Sequence, residues 1–597
     1  MNFPYGVSDF ALLMREGYFY VDRTDRIPAI EKAGRQLVFL RPRRFGKSLL
    51  LSMLEHYYDL AKAEEFEQIF GTLAIGQQAT ALHNQYFVLK WDFSMVSPQG
   101  DSECITRSLF AHINGEIAVF AEKYSSYWQH PIEIDKDNAI ASLRSVLGAV
   151  QQTSHKLYLL IDEYDNFANE IVMGSSLELG KRRYQELLQG EGILKTVFKA
   201  VKAAAAGRGL DRVFITGVSP LVLSDMTSGY NVAENIFLNS EFNDLCGFTE
   251  SEIRETLQDL VQTSSAELPT VQDILALMRS CYNGYCFMET DERPQERVYN
   301  PTLALYFLKK LLHDGRYPSN MLDDNLAMDR GKLSYIAALP QGAELIQTAI
   351  EHHSPLAIET LVQRFGIEDI IYGKKDEAFM ISFLYFFGIL TLEGRDDFGD
   401  LTFGVPNQVI LRLYLHQLRE CLLPNWDAAT ERNRVRAFYR EGAFQPVCEF
   451  IEQRILPTLS NRDYAQVNEL TVKTAFLLLL FNDHLYHIES EASAGRGYAD
   501  LTLLVRSDCR RYNLLDWVIE FKYVSLKSLG LSGEELKQLT REQYTELPLV
   551  REAIAAAELQ LRRYAGDLRQ KYGGVLNLRA YAVVSLGLER LVGCEVS

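Results

Sequence analysis

The run Gln36-Leu-Val-Phe-Leu40, followed at once by Arg41-Pro-Arg-Arg-Phe-Gly-Lys-Ser48, is the stretch of sequence that decides the fold. The apolar residues 37–40 predict a buried strand, and the residues after Ser48 have the periodicity of an amphipathic helix. A strand, a loop ending in Gly-Lys-Ser and a helix make up a P-loop, whose backbone N–H groups bind phosphate at the start of the helix. The stretch therefore predicts a nucleotide site.

Each residue type in this loop suits one part of a bound nucleotide. We expect the Lys47 ammonium to reach the β- and γ-phosphates and the Ser48 hydroxyl to bind Mg²⁺. One position departs from the usual pattern, because Arg41 stands where a glycine is expected five residues before Gly46. The residues predicted to bind ATP here are Arg43, Arg44, Phe45, Gly46, Lys47 and Ser48.

An ATPase also needs an apolar strand that ends in acidic residues, and Lys156–Asp162 followed by Glu163 has this pattern. We predict that Asp162 orients Mg²⁺ through water and that Glu163 polarises the attacking water. The alternative is a buried parallel strand whose terminal acids are only solvated. The preceding P-loop favours the catalytic interpretation.

The other strands of this region supply further candidates. Thr216, near the end of a predicted strand at Arg212–Gly217, is the first candidate for sensing the γ-phosphate, and Ser219 is the second. Asp92 either borders the same pocket or caps the end of its strand. The sequence has no Lys or Arg between Arg212 and Arg254, so no arginine finger follows the sensor strand. This favours a slow nucleotide switch over a fast ring motor. Arg43 and Arg44, in the loop itself, are then the arginines expected to contact the phosphate of the same chain's nucleotide.

Composition limits the class of protein. With 597 residues, 47% hydrophobic and 23% charged, the chain has the composition of a globular protein of about three or four domains, not of a disordered or collagen-like one. The apolar run at 475–481 is far shorter than the ~20 residues of a membrane span, so we expect no membrane association. The N-terminus lacks a secretory signal and the eight cysteines are scattered, which predicts a cytoplasmic protein.

The charge is unevenly distributed. The formal net charge is −18, which argues against indiscriminate coating of nucleic acid. Residues 461–597, however, contain 17 Lys/Arg against 18 Asp/Glu, so the acidic excess lies in the rest of the chain. This asymmetry is compatible with a polyanion-binding module at the C-terminus.

Periodicity divides the chain into regions. Strands alternate with helices over residues 35–260, which predicts a parallel α/β sheet, and Thr249-Glu-Ser-Glu252 predicts a capping box that opens a helix at Ser251. Residues 250–375 are mostly helical. The segment 379–415 has the order helix, hairpin, helix of a winged-helix unit. From 420 the chain is helical to about Leu480 and then alternates strands and helices.

The C-terminal region has the residues of a metal site. Asp500 opens an apolar strand, and Glu520 and Lys522 alternate on the next strand, so their side chains share one face. Two carboxylates suit a hard cation such as Mg²⁺, and Lys522 would position or deprotonate the water that attacks a phosphodiester. Glu469, at the start of an apolar helix, is expected to complete the metal shell. An inactive structural relic of such a site is the alternative.

Two residues on a later helix are expected to contact substrate. Gln560 and Tyr564 lie four residues apart and so share one helix face, with two arginines between them. The pair His484 and His487 and the pair formed by Cys281 with the cysteine five residues later are interpreted as packing residues and not as metal ligands.

In combination, these motifs resemble the prokaryotic AAA-ATPase-like proteins whose chains end in a PD-(D/E)xK nuclease domain. The arginine in place of the first P-loop glycine is usual in that family. Glu491, Asp500, Glu520 and Lys522 match the family's nuclease pattern, whereas Tyr498 stands where the family usually has arginine. The further matching runs are Tyr20-Val-Asp-Arg-Thr24, Thr216-Gly-Val-Ser219, Gly247-Phe-Thr-Glu250, Tyr282-Asn-Gly-Tyr285, Tyr299-Asn-Pro301 and Pro406-Asn407.

The resemblance implies an α/β protein with a P-loop ATPase domain of AAA/STAND type at residues 1–250 and a helical lid or middle region at 251–375. A winged-helix-like segment follows at 376–420 and a restriction-endonuclease-like PD-(D/E)xK domain at 421–597. The function expected from it is ATP-regulated, Mg²⁺-dependent cleavage of nucleic acid, DNA first, in defence against foreign DNA, with homo-oligomerisation as a further expectation. The alternative is a nucleotide-dependent sensor or scaffold whose nuclease fold only binds nucleic acid or a partner protein.

Overall fold

The structure is a computed structural model that describes residues 1–97, 99–166, 192–220, 232–264, 268–289, 296–322, 330–337, 339, 342–350, 356–362, 376–423, 428–460, 468–489, 492–494 and 497–596. The chain forms two structural units, each assembled from separate segments. The first comprises Met1–Ser265, Tyr282–His313 and Leu356–Pro406, and the second comprises Ala266–Cys281, Asp314–Pro355 and Asn407–Ser597. The division into four consecutive domains expected from the sequence stays a prediction.

The first unit contains the predicted parallel sheet. Its strand order is β2-β3-β4-β1-β5, and every neighbouring pair is parallel. The carboxyl ends of the P-loop strand β1, of β3 and of β4 therefore lie at one edge of the sheet, where α/β proteins bind ligands. The strands are β1 Gln36–Leu40, β2 Tyr86–Asp92, β3 Lys156–Asp162, β4 Leu210–Gly217 and β5 Glu234–Asn235.

Helices surround this sheet. The helix after the P-loop begins at Lys47, and the predicted capping box of Thr249 and Glu252 is present, with its helix beginning at Glu250, one residue earlier than expected. The α-helices are Phe10–Arg15, Ile27–Ala33, Lys47–Tyr58, Phe66–Phe70, Ala74–Gln77, Ser102–Lys123, Ala139–Gln151, Ile193–Ala205, Glu250–Thr263, Pro301–Asp314 and Glu377–Phe386.

The helix and hairpin expected near residue 380 are also found. The helix Glu377–Phe386 precedes an antiparallel hairpin, and the sheet has the order β6-β8-β7. At the tip, the Asp396 carboxylate accepts hydrogen bonds from the N–H groups of Phe398 and Asp400, and Phe398 is 93% exposed. The strands are β6 Leu356–Ile358, β7 Thr391–Arg395 and β8 Leu401–Gly404.

The second unit is built on a mixed sheet of order β15-β14-β13-β12-β9, in which β13 and β14 are parallel and the other pairs are antiparallel. The helix Pro548–Tyr572 packs on this sheet, burying Leu561 and Tyr564 against Val518 and Ala582. The strands are β9 Tyr486–Glu489, β10 Ala492–Ala494, β11 Gly497–Ala499, β12 Leu501–Val505, β13 Asp516–Val524, β14 Leu578–Leu586 and β15 Arg590–Val596.

Further helices complete the second unit. The helix Glu469–Leu480, predicted from its apolar run, is buried along nearly its whole length. The helices are Val271–Tyr282, Arg330–Ala337, Gly342–Ile350, Gln408–Leu422, Ala428–Glu441, Phe444–Phe450, Leu456–Ser460, Glu469–Leu480, Leu526–Leu529, Gly533–Gln538, Arg541–Thr545 and Pro548–Tyr572. Among the described residues of the chain, no helix combines the length and the apolar character needed to cross a membrane.

Arg41, the residue that replaces the P-loop glycine, is a core residue. Its side chain is 1% exposed, and its guanidinium donates hydrogen bonds to the carbonyls of Leu40, Phe237 and Phe242 at 2.6–2.8 Å. The same group lies 4.4 Å from the ring centroid of Phe39 and 4.2 Å from that of Phe287. Arg41 therefore ties the end of β1 to the segment after β5, and a glycine could not do so.

We predict that Arg41→Gly destabilises the protein and does not improve nucleotide binding. The change leaves three buried carbonyls without their charged donor, which costs about 3 kcal/mol or more. Thermal unfolding monitored by circular dichroism measures the loss, and Arg35→Gly, at a residue whose side chain is 73% exposed, is the matched control. A variant as stable as the wild type would show that Arg41 is not a structural anchor.

Candidate nucleotide and nuclease sites

A cavity of about 280 Å³ opens above the P-loop in the first unit. It lies at the edge of the sheet where β1 and β3 end, and the start of the helix Lys47–Tyr58 forms one wall. Two left-handed residues shape the loop, Arg44 with φ +68° and Gly46 with φ +88°. The cavity is lined by Pro4–Ser8, Leu13, Phe19–Val21, Arg23, Arg44–Leu50, Met53, Glu163, Leu245–Phe248, Pro301, Thr302 and Leu305.

Lys47 lies at the base of this cavity and is 5% exposed. Its ammonium donates hydrogen bonds to the carbonyls of Arg41 and Pro42, at 3.0 and 3.1 Å. Burial lowers the pKa of Lys47, although the neighbouring carboxylates, led by Asp162, oppose the shift. The lysine is thus held in the loop by neutral oxygens, which a phosphate oxygen would replace with a stronger, charged acceptor.

The structure brings Asp162 and Thr216 into direct contact. The Thr216 hydroxyl donates a 2.6 Å hydrogen bond to the Asp162 carboxylate, and both residues are buried. The contact follows from the sheet order, because β4, which carries Thr216, lies between β1 and β3. Thr216 therefore orients the carboxylate that is expected to hold the metal.

Glu163 has an unusual backbone and a perturbed side chain. Its φ of +48° is left-handed, which is strained for a residue other than glycine. Burial raises the pKa of the Glu163 carboxyl, and the Lys47 ammonium and the Arg43 guanidinium offset this only in part. Arg43 is held nearby by a 2.8 Å hydrogen bond from its guanidinium to the Asn166 side chain. A carboxyl of raised pKa beside the phosphate loop suits a residue that takes a proton from water.

Asp165 is a residue that the sequence interpretation missed. It is 1% exposed and accepts hydrogen bonds from the N–H of Val218 and from the N–H and hydroxyl of Ser219. Ser219, the second sensor candidate, thus holds the loop after β4 to the loop after β3. The spacing of Asp162 and Asp165 was visible in the sequence, but the partner of Asp165 is 53 residues away and was not.

The other predicted residues of this region have distinct positions. Phe45 is buried, and its ring packs edge-on against Tyr285 and Phe287, so it anchors the loop. The Arg44 carbonyl accepts a hydrogen bond from the Thr302 hydroxyl, and Ser48 lines the cavity. The Asp92 carboxylate accepts a hydrogen bond from the N–H of Ser94 and so caps the short 3-10 helix after β2, and its charge also contributes to the raised pKa of Glu163.

Arg23, in the run Tyr20–Thr24, lines this cavity and links separate segments of its wall. The Arg23 guanidinium binds both carboxylate oxygens of Glu252, at 2.5 and 2.8 Å, and donates to the carbonyls of Asp244 and Gly247. A bidentate, partly buried pair of this kind fixes geometry more firmly than a surface pair does. Arg23 thereby joins the N-terminal segment to the start of the helix Glu250–Thr263.

The second site lies on β13, where Glu520 and Lys522 point to one face as expected. The Lys522 ammonium donates a 3.0 Å hydrogen bond to one oxygen of Glu520. Asp500, directly before β12, accepts a 2.8 Å hydrogen bond from the N–H of Phe521. Hydrogen bonding and strand pairing therefore bring the three predicted residues together.

The charged groups of this site shift one another's pKa values. Burial and the nearby Asp500 carboxylate raise the pKa of Glu520 to about 7. Burial would lower the pKa of Lys522, but the Glu520 carboxylate outweighs it and the pKa is raised. Both roles expected for Lys522, positioning the water and deprotonating it, stay predictions.

The donor set suits a hard divalent cation. The second carboxylate oxygen of Glu520 is buried and has no hydrogen-bond partner, which is costly unless another group completes its coordination. Asp500 and Glu520 are the residues that would hold Mg²⁺ here. Among the described residues no cluster of three or more His, Cys, Asp or Glu side chains is placed to bind a metal, and Glu491 lies outside those residues.

Three further nuclease candidates lie within the described residues. Glu469 begins its helix, accepts a 3.4 Å hydrogen bond from the N–H of Tyr523 and contributes to the raised pKa of Lys522. Tyr564 is 3% exposed; burial raises the pKa of its hydroxyl, with the Glu520 charge as the next cause. The side-chain oxygen of Gln560 is buried without a hydrogen-bond partner. Glu469 and Tyr564 therefore lie near the carboxylates.

Comparison with known protein families matches both regions. Residues 4–227 match the AAA-ATPase-like family, described as a predicted AAA-ATPase, and residues 467–592 match a family of the PD-(D/E)XK nuclease superfamily. The chain thus combines an ATPase-like domain with a nuclease-superfamily domain, as the motifs predicted. The P-loop and Glu163 lie in the first region, and Asp500, Glu520 and Lys522 lie in the second.

Individual relatives are distant. An uncharacterized protein in the vnfD 5' region of Azotobacter chroococcum mcd 1 is 26% identical over 323 residues, which cover 51% of this chain and 52% of the relative, so the match spans about half of the relative's length. The ORC1 protein of Aeropyrum pernix in complex with DNA is 11% identical, with 70% of this chain and 94% of that chain covered and a TM-score of 0.24. The ORC2 protein of the same organism is 12% identical, with 68% and 91% covered and a TM-score of 0.29. TM-scores this low do not establish a shared overall structure.

We predict that Glu520→Gln stabilises the metal-free protein at pH 8 but not at pH 5. The pKa of Glu520 in the folded protein, about 7, lies above its ordinary value of 4.5, so its contribution to stability is present below pH 4.5 and is lost as the pH rises through 7. A neutral glutamine avoids this loss. We expect the melting temperature in EDTA to rise by roughly 2–4 °C at pH 8, which corresponds to about 1 kcal/mol.

The exposed residue Glu552 gives the control, because Glu552→Gln removes the same charge on the same unit without relieving a buried carboxylate. If Glu520→Gln changes the melting temperature equally at the two pH values, the Glu520 carboxyl is not perturbed as described.

Proposed function

We propose that this protein is an ATP-binding and ATP-hydrolysing enzyme whose nuclease domain cleaves nucleic acid with Mg²⁺, and that the nucleotide state regulates the cleavage. The observation that carries the proposal is the buried, unpartnered oxygen of Glu520 beside Asp500 and Lys522, in a chain that also has a P-loop cavity. DNA is the proposed substrate, the cytoplasm the proposed compartment and defence against foreign DNA the proposed role.

The nuclease chemistry assigns a task to each residue. When bound, Mg²⁺ would neutralise phosphate charge and activate the attacking water. Asp500 and Glu520 supply the carboxylates that hold such an ion, and the Lys522 ammonium orients the water or the phosphate. Gln560 and Tyr564, from the helix Pro548–Tyr572, are proposed to steady the backbone of the substrate.

The nucleotide chemistry is assigned in the same way. Lys47 and the N–H groups of the P-loop bind the phosphates of ATP, and Ser48 and Asp162 hold the accompanying Mg²⁺. Thr216 fixes the Asp162 carboxylate through its 2.6 Å hydrogen bond. Glu163 receives the proton of the attacking water, which its raised pKa favours.

A nucleotide-dependent scaffold with an inactive nuclease fold is the second candidate function. The ion pair between Lys522 and Glu520 favours it, because this pair already balances one carboxylate charge of the site. In this case the second unit would bind nucleic acid or a partner protein without cleaving it, whatever nucleotide is present.

We predict that Lys522→Ala abolishes Mg²⁺-dependent cleavage and leaves ATP binding intact. Removing a charged group that positions the attacking water is expected to lower the cleavage rate by roughly 10²–10⁴-fold. A gel assay on labelled DNA and RNA with Mg²⁺ or Mn²⁺ measures cleavage, and Lys527→Ala, at an exposed lysine five residues further on, is the control. A Lys522→Ala protein that cuts as well as the wild type would overturn the nuclease assignment.

The two P-loop functions are expected to separate by mutation. Lys47→Ala should lose most ATP affinity, whereas Glu163→Gln should bind ATP and lose hydrolysis, because Glu163 acts on the water and not on the nucleotide. In the wild type we expect turnover well below the 1–100 s⁻¹ typical of kinases. Steady-state ATPase kinetics and binding of a fluorescent ATP analogue measure these effects, with Lys32→Ala as the exposed-lysine control.

Cleavage by the same variant identifies the switch. If Glu163→Gln holds ATP and cleaves nucleic acid at least as well as the wild type, occupancy of the nucleotide site controls the nuclease. If it holds ATP and loses cleavage completely, hydrolysis itself drives the nuclease and the slow-switch interpretation is wrong.

A further inference from the structure

Asn166, in the loop after β3, is buried, with 8% of its surface exposed, and it contacts two other residues of the nucleotide site. Its N–H donates a 2.9 Å hydrogen bond to the Glu163 carbonyl, and its side-chain oxygen accepts a 2.8 Å hydrogen bond from the Arg43 guanidinium. Asn166 therefore links the left-handed turn that carries the expected base to the phosphate-binding loop.

Arg43 is close to both reacting groups. It follows Pro42, whose carbonyl accepts a 3.1 Å hydrogen bond from the Lys47 ammonium, so its backbone is adjacent to the group expected to bind the β- and γ-phosphates. Burial raises the pKa of the Glu163 carboxyl, and Arg43 is one of the two cations, after Lys47, whose charge opposes the shift. The Arg43 guanidinium is thus within electrostatic reach of the expected base.

The charge of Arg43 is not compensated by a carboxylate. In the part of the chain that the structure describes, Arg43 forms no ion pair, and its hydrogen bond is to the neutral side chain of Asn166. Arg23 and Arg41, two other arginines of this region, are occupied by Glu252 and by three backbone carbonyls, respectively. Arg43 therefore keeps both its charge and further N–H donors for an anionic ligand.

The neighbouring Arg44 is not held in the same way. Its guanidinium forms no hydrogen bond or ion pair with any residue that the structure describes, whereas the contact with Asn166 fixes the position of Arg43. A charged donor stabilises a transition state best when it is already in position, because no reorganisation is then needed. Since the sequence has no Lys or Arg between Arg212 and Arg254, Arg43 is the arginine best placed for this role.

We infer that Asn166 is a positioning residue that holds the Arg43 guanidinium where it stabilises the negative charge developing on the γ-phosphate of ATP. The inference rests on the proposed ATP hydrolysis. In that step the water oxygen bonds to the γ-phosphorus, the bond to the bridging oxygen of ADP breaks, and one water proton passes to the Glu163 carboxylate. Asn166 contacts both Glu163 and Arg43, so it sets the position of the base relative to the charge.

The test is a double-mutant cycle of Arg43→Ala, Asn166→Ala and the two combined, in the full-length protein. We expect kcat for ATP hydrolysis to fall roughly 10²–10³-fold in Arg43→Ala, because a donor to the transition state is lost. In Asn166→Ala it should fall roughly 10–10²-fold, because the arginine is misplaced. KM should change much less. The double variant should be no slower than Arg43→Ala, because Asn166 acts through Arg43.

A transition-state analogue gives a measurement that does not require turnover. Affinities for ADP alone and for ADP with aluminium fluoride and Mg²⁺ are measured by displacement of a fluorescent ATP analogue. Both single variants should lose affinity for the aluminium fluoride complex and bind ADP as the wild type does. If Asn166 had only a structural role, its loss would weaken the binding of both ligands alike.

Exposed residues of the same unit provide matched controls. Arg144→Ala and Gln152→Ala each remove a polar group that does not line the cavity, and both should hydrolyse ATP at the wild-type rate. A thermal melt checks that each variant is folded. If Asn166→Ala does not fold, Asn166→Ser, whose side chain is too short to keep the contact with Arg43, replaces it in the cycle.

The outcomes separate this inference from the function on which it rests. A wild-type kcat in either single variant, or losses that multiply in the double variant, would overturn the positioning role of Asn166. If the wild type binds ATP but does not hydrolyse it, the proposed hydrolysis fails. In that case the aluminium fluoride affinities still decide the inference: loss in both single variants with no further loss in the double variant supports it, and unchanged affinities overturn it.

Discussion

The nucleotide site depends on the hydrogen bonds that the buried guanidinium of Arg41 donates to backbone carbonyls. A charge this deep in the protein is tolerated only because three carbonyls and two aromatic rings surround it, and burial still lowers its pKa to about 10. The carbonyls of Arg41 and Pro42 in turn accept hydrogen bonds from the Lys47 ammonium, so the arginine that replaces a P-loop glycine also helps to position the lysine that is expected to bind phosphate. The arginine that departs from the usual loop sequence therefore serves to stabilise the structure around the loop.

The two sites place acidic groups where the fold disfavours their charge. Glu163 and Glu520 both have raised pKa values, in each case chiefly through burial, and each lies near a lysine that offsets part of the cost. A buried carboxyl of raised pKa is stabilised when it binds a cation or a proton. The proposed chemistry and the electrostatic cost are therefore two aspects of the same arrangement.

Local sequence patterns predicted the strands, but they did not predict which distant residues contact one another. The bounds of β1, β2 and β3 follow from apolar runs that end in turns, and alternation on β13 placed Glu520 and Lys522 on one face. The anchoring role of Arg41 and the contacts of Asp165 depend on residues about 50 to 200 positions away, which no local period reveals. The γ-phosphate role of Thr216 stays a prediction, and the hydrogen bond from its hydroxyl to Asp162 depends on the strand order, which no local pattern reveals.

The central claim is that occupancy of the P-loop by ATP, and not the act of hydrolysis, sets the activity of the nuclease by shifting the protein between two states. The most direct measurement is the rate of Mg²⁺-dependent cleavage by the wild-type protein without nucleotide, with ATP and with a non-hydrolysable ATP analogue. The account predicts that ATP and the analogue change the rate in the same direction and by a similar factor. A rate that responds to ATP but stays at the nucleotide-free value with the saturating analogue would contradict it.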